Sequence, residues 1–90
     1  MAVVRFTSHL AKFFPGLGEL VVDAGTVAEL IQRLEDHYPG ISAYLTEDHG
    51  GLRKHVNIFV DQMLIQDRKQ LSDRLSSNAE VHILQALSGG

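Results

Sequence analysis

Cysteine is missing from all 90 residues of this chain. That excludes a disulfide framework, a thiolate metal ligand and a thiol nucleophile. Excess positive charge is missing too. Eight Lys and Arg against eleven Asp and Glu leave a net charge of −3, whereas a nucleic-acid partner requires a clustered basic surface. Arg53-Lys54-His55 and Arg68-Lys69 are short basic stretches that read as solvated loop charge. No apolar run is long enough to cross a bilayer, and Met1-Ala2-Val3-Val4-Arg5-Phe6 lacks the apolar core of a signal peptide. The expectation is a cytoplasmic protein that partners neither membrane nor nucleic acid. Internal repeats and low-complexity segments are absent as well.

What is present suits one small domain. A hydrophobic content of 44% is ordinary for a globular chain and sufficient for a single core. Ala2 to Thr7 is a valine-rich strand candidate. Phe13-Phe14-Pro15-Gly16-Leu17-Gly18 is turn-forming, and Glu19 to Asp23 reads as a second strand, so the pair is expected to form an antiparallel hairpin with a long loop. Thr26-Val27-Ala28-Glu29 has the pattern of a capping box. Val27, Leu30, Ile31 and Leu34 follow at one-face helical spacing, with Tyr38 continuing the stripe until Pro39-Gly40 stops it.

Ile41 to Leu45 has the length for one further helical turn, and Thr46 to Gly51 is a polar loop. Val56, Ile58 and Val60 alternate with His55, Asn57 and Phe59 as a half-buried strand. Val81 and Ile83 alternate with Glu80, His82 and Leu84 as the last one. Between them, Asp61 to Ser77 scatters Met63, Leu64, Ile65, Leu71 and Leu75 among charges, an irregular crossing that must still cover the core. Helix and strand are too few for a doubly wound fold, so the helix packs on one face of a small mixed sheet.

Catalytic patterns are scarce. His9, His37, His49, His55 and His82 show no metal-ligand spacing. Gly16-Leu17-Gly18 begins like a dinucleotide loop, but Val21 occupies the third glycine position. Glu35-Asp36 and Glu47-Asp48 read as solvated acidic pairs. Strand alternation does mark a surface. If Val56, Ile58, Val60, Val81 and Ile83 face the helix, then Phe59, His82 and Leu84 face outward, with Arg5 at their border. Beyond them the sequence runs Ala86-Leu87-Ser88-Gly89-Gly90.

A hairpin, a helix and two further strands followed by Ser88-Gly89-Gly90 resemble the MoaD/ThiS family of ubiquitin-like β-grasp sulfur carriers, which includes the molybdopterin-synthase small subunit and the thiamine-pathway carrier. The likeness covers essentially the whole chain. Leu52 to Asp61 looks like the central strand of actinobacterial-type members that feed cysteine synthesis. The resemblance implies an α+β fold: a ubiquitin-like β-grasp body over residues 1–86, with a small mixed four- to five-stranded sheet and one main helix on one face, and an extended tail over 87–90.

It also implies a carrier rather than an enzyme, monomeric when free and with no cofactor of its own. An E1-like adenylating enzyme would use ATP to adenylate the Gly90 carboxylate, a sulfur nucleophile would displace AMP to leave a thiocarboxylate, and a sulfur-accepting synthase would take the sulfur. Activation is needed because a free α-carboxylate, pKa about 3.3–3.7, is a poor acyl donor. Leu87, Ser88 and Gly89 would enter the partner's channel. The two glycines lack a Cβ, and three or four extended residues reach roughly 10–14 Å. Phe59, Leu84, His82 and Arg5 would form the docking face. Three alternatives stand beside this: the small subunit of molybdopterin synthase, a modifier joined to lysines through Gly90, and a β-grasp interaction module with an idle tail.

Overall fold

A computed structural model describes residues 1–14 and 16–85, with the side chains of Ser8 and His9 left aside. Its elements in chain order are β1 (Ala2–Phe6), α1 (Ser8–Ala11), β2 (Leu20–Val22), α2 (Val27–His37), α3 (Ile41–Leu45), β3 (Val56–Val60), β4 (Met63–Leu64) and β5 (Glu80–Gln85). The strands form one sheet in the order β2-β1-β5-β3-β4. β1 and β5 run parallel at its centre, and the remaining pairs are antiparallel. This is the ubiquitin-like β-grasp architecture. The short helix α1 and the two-residue β4 are elements that periodicity did not announce, because neither is long enough to repeat its own pattern.

One face of the sheet is dry. Val4, Val56, Ile58, Val81 and Ile83 are fully buried, and they share a core with Val27, Leu30, Ile31 and Leu34 of α2. Val60 packs half-buried against that core, so the predicted inward set holds throughout.

Local chemistry explains why α2 starts and stops where it does. Thr26 accepts a hydrogen bond from the Glu29 amide at 3.2 Å. The reciprocal bond goes one residue further back than a capping box predicts: Glu29 Oε1 accepts from the Gly25 amide at 2.7 Å. Two further orphan donors of the first turn, Val27 N and Ala28 N, reach the carbonyls of Asp73 and Leu71 at 3.0 and 2.9 Å. Glu35 then bridges the end of α2 to α3, accepting from Gly40 N at 2.8 Å and Ser42 N at 2.9 Å. Gly40 holds a φ of 99°, a left-handed turn that a side chain would strain.

The long crossing covers the core only in part. Ile65, Leu71 and Leu75 are buried, whereas Met63 and Leu64, read from the sequence as covering residues, are exposed by 69% and 49%. They stand on β4, the edge strand of the sheet. Asp67 and Asp73 hold the crossing in shape. Asp67 accepts from the amides of Lys69, Gln70 and Ser72 and from the Ser72 hydroxyl. Asp73 accepts from the amides of Gln66 and Asp67 at 3.0 and 2.8 Å.

Two basic residues expected to be solvated have structural duties. Arg68 donates to Asn57 Oδ1 and to the carbonyls of Arg53 and Val56, fastening the crossing to the start of β3. Arg53 Nε donates to the Ala43 carbonyl at 2.9 Å, tying that same turn to α3. Glu35 is likewise a cap rather than a solvated acid. In all three cases the partners include backbone groups far enough along the chain that residue type alone could not reveal them. Among the described residues no helix is long and apolar enough to cross a membrane.

Candidate functional site

The solvent face of the sheet gathers the outward residues. Register places Arg5 of β1 beside His82 of β5, His82 beside Phe59 of β3, and Phe59 beside Leu64 of β4, so four strands contribute to one row. Leu84 sits in the next row opposite Asn57. Residues facing each other across paired strands project to the same side of the sheet. Phe59 and His82 are half-buried, while Leu84 is 37% exposed. Phe59, His82, Leu84 and Gln62 line a shallow depression of about 310 Å³.

The predicted members of the face therefore meet. Arg5 stands at its margin and is engaged there: Nε bonds Glu19 at 2.9 Å and Nη1 bonds Glu80 at 3.1 Å. Hydrogen bonds to Glu80 and Glu19 raise the guanidinium pKa, so Arg5 is a permanent cation flanked by two carboxylates. Its pairs are exposed and contribute little to stability. Their effect is to keep charge at the edge of an apolar patch.

Sequence reasoning missed Leu64 and Gln62. The sequence places Leu64 in a segment that must cover the core, whereas pairing with Phe59 in a β4 too short to show alternation turns it outward. Gln62 carries no pattern at all. A turn between β3 and β4 places it over the patch.

The other half of the predicted site is the end of the chain. Leu87, Ser88, Gly89 and Gly90, with Ala86, lie outside the described residues. What the structure supplies is their starting point. β5 ends at Gln85, next to Leu84 of the patch and in register with Val56. Around that point Gly40, Ala43, Tyr44, Arg53 and Gln85 line a second depression of about 360 Å³ on the helix side.

Neither depression combines a nucleophile with a base. A third, lined by Glu47, Asp48, His49 and Arg53, holds a His49–Glu47 contact of 3.0 Å on the surface. Among the described residues no group of three His, Asp or Glu side chains could hold a metal ion. The arrangement can bind a surface and present a strand end.

A family model described as the ThiS family matches residues 5–90. CysO from Mycobacterium tuberculosis superimposes with a TM-score of 0.83 at 26% identity, over 97% of this chain and 100% of that one. CysO in the Amycolatopsis orientalis BexX/CysO complex gives 0.86 at 22% identity over 100% of both chains. The small archaeal modifier SAMP1 from Haloferax volcanii gives 0.81 at 21% identity, over 99% and 98%. Curated protein sequences contain no significant match.

Proposed function

The chain belongs to the ThiS family of ubiquitin-like sulfur carriers, and on that footing we propose that its working atom is the carboxyl carbon of Gly90. The supporting observation is that the family match continues through Gly90 on a β-grasp body whose last strand ends five positions earlier, at Gln85. Five extended residues span at most about 17 Å. A partner acting on Gly90 must therefore lie within that distance of β5 and abut the surface around it.

The chemistry follows from the carboxylate. One Gly90 oxygen attacks the α-phosphorus of ATP held by the partner, the bond to the leaving phosphate breaks, and pyrophosphate departs. The resulting acyl-adenylate has AMP as its leaving group. Hydrosulfide, or an equivalent sulfur nucleophile, adds to the carbonyl carbon. The carbon–oxygen bond to AMP then breaks with its electron pair, and loss of the thioacid proton leaves a thiocarboxylate. No oxidation state changes in that sequence, so no redox partner is required. Leu87, Ser88 and Gly89 deliver the group, the small side chain of Ser88 and the missing Cβ atoms of Gly89 and Gly90 suiting a narrow channel.

The face of Phe59, His82, Leu84 and Leu64 docks on the adenylating enzyme and then on the sulfur-accepting synthase, with Arg5 at the rim. An apolar patch beside the origin of the tail is where such a partner must sit, and core apolar contact ringed by charge is the usual anatomy of an interface. The CysO of Amycolatopsis is itself found in a complex with BexX, an analogy in keeping with this reading. The carrier supplies a co-substrate, and ATP belongs to the enzyme.

Intact mass decides the matter. Incubation with a cognate adenylating enzyme, ATP and a sulfide source should replace one carboxyl oxygen with sulfur. An unchanged mass, where another carrier of the family is converted, would refute the proposal. Covalent adducts on lysines of other proteins would assign the chain to protein modification instead. Deleting Gly90 should abolish conversion and leave the melting temperature unchanged, because terminal residues add little to a core.

A further inference from the structure

The connection between β3 and β4 is built without the residue that such a turn favours. Asp61 and Gln62 join Val60 to Met63 with φ of 49° and 71°. Two left-handed residues in a two-residue hairpin are normally Asn-Gly, Asp-Gly or Gly-Gly, because a side chain at positive φ crowds the backbone. Asp61 fits this rule and has local work. Its amide donates to the Glu80 carbonyl at 2.8 Å, and its Oδ1 accepts from the Glu80 amide at 2.9 Å, pinning the turn to β5.

Gln62 fits no such rule. Its side chain has no hydrogen-bond partner among the described residues. Glycine at this position would relieve the strain and keep the register. Strain that the fold does not need tends to collect at functional sites. The Gln62 side chain lines the depression whose other walls are Phe59, His82 and Leu84.

We infer that Gln62 is a specificity-determining residue of the docking face, holding a carboxamide beside an apolar floor. The partner it fits is a protein that seats one large apolar side chain on Phe59, His82 and Leu84 and offers a backbone or side-chain amide next to it. The carboxamide both donates and accepts, so it pairs with a peptide group in either sense. A protein that brings only apolar surface to the same floor strips water from the carboxamide without replacing its hydrogen bonds, and is rejected. The inference rests on reading this face as the docking surface for the adenylating partner.

Two substitutions in the full chain test it, with thermal melts and titration against the cognate adenylating enzyme in parallel. Gln62→Gly should raise the melting temperature by about 2–5 °C as strain is released, yet weaken binding about fivefold to tenfold through loss of one hydrogen bond. Gln62→Ala should weaken binding to the same degree with no gain in melting temperature. Opposite movement of stability and affinity separates a contact role from a structural one. Unaltered binding by Gln62→Gly overturns the inference alone. A melting temperature that falls together with affinity overturns it in favour of a role in the fold. Wild-type protein that fails to bind removes the docking reading and this inference with it.

Discussion

At the scale of single residues, the polar side chains that matter most are those bonded to distant backbone. Asp67 illustrates this. Hydrogen bonds from the Gln70 amide, the Ser72 hydroxyl and amide and the Lys69 amide hold its pKa at about 2, down from 3.8. Glu35 is lowered in the same direction by the Gly40 and Ser42 amides. A depressed carboxyl pKa means that the folded state prefers the anion. The stabilisation is present above the unfolded value and is lost as pH falls through the folded one. For Asp67 that window runs from 3.8 down to about 2. Melting temperature should therefore decline across this range, and Asp67→Asn should flatten the decline. Parallel curves for wild type and variant would show that the Asp67 anion is not favoured by folding. The sequence displayed Glu35 as half of an acidic pair and Arg68 as half of a basic one. Neither letter says that its partners are amides or carbonyls brought near by a turn.

At the scale of elements, α2 was the most legible part of the chain. Its stripe of Val27, Leu30, Ile31 and Leu34 is buried as the spacing predicts, and Thr26 caps it. Thr26→Ala should cost about 1 kcal/mol, read as a lower midpoint in urea at an unchanged slope. The segment from Asp61 to Ser77 was the least legible, since it has no period to follow. Yet Leu71 is buried, sits at a φ of 58°, and lends its carbonyl to the first turn of α2. Leu71→Ala should cost about 2–5 kcal/mol, as large a loss as truncation of a core residue in a regular strand. A loss near zero would show that the crossing collapses into the space without penalty. β4 escaped notice because two residues cannot display alternation, and with it went the outward position of Leu64.

At the scale of the molecule, five strands and one main helix divide the surface into a dry side and a working side. Phe59 lies in the middle of the working side, between His82 and Leu64, and only half-buried. Phe59→Asp should weaken association with the adenylating enzyme by tenfold or more, since central aromatic anchors dominate interfaces. The far-ultraviolet spectrum should stay native. Loss of folded signal would place Phe59 in the core and refute the assignment of faces.

Alternation and helical spacing are local properties, and they were sufficient to separate the buried from the outward residues of α2, β3 and β5. The glycine-ended motif and the order of elements were likewise enough for the family. What needed the folded chain was the exact pairing of residues distant in sequence and the path of the crossing between them. The parallel pairing of β1 with β5 brings Arg5 to His82, and the turn at Asp61 and Gln62 brings Gln62 to the depression that Phe59, His82 and Leu84 line. Periodicity records which side of its own element a residue occupies. Which residues become neighbours depends on strand order and on crossings without a period, and those are settled only when the core closes.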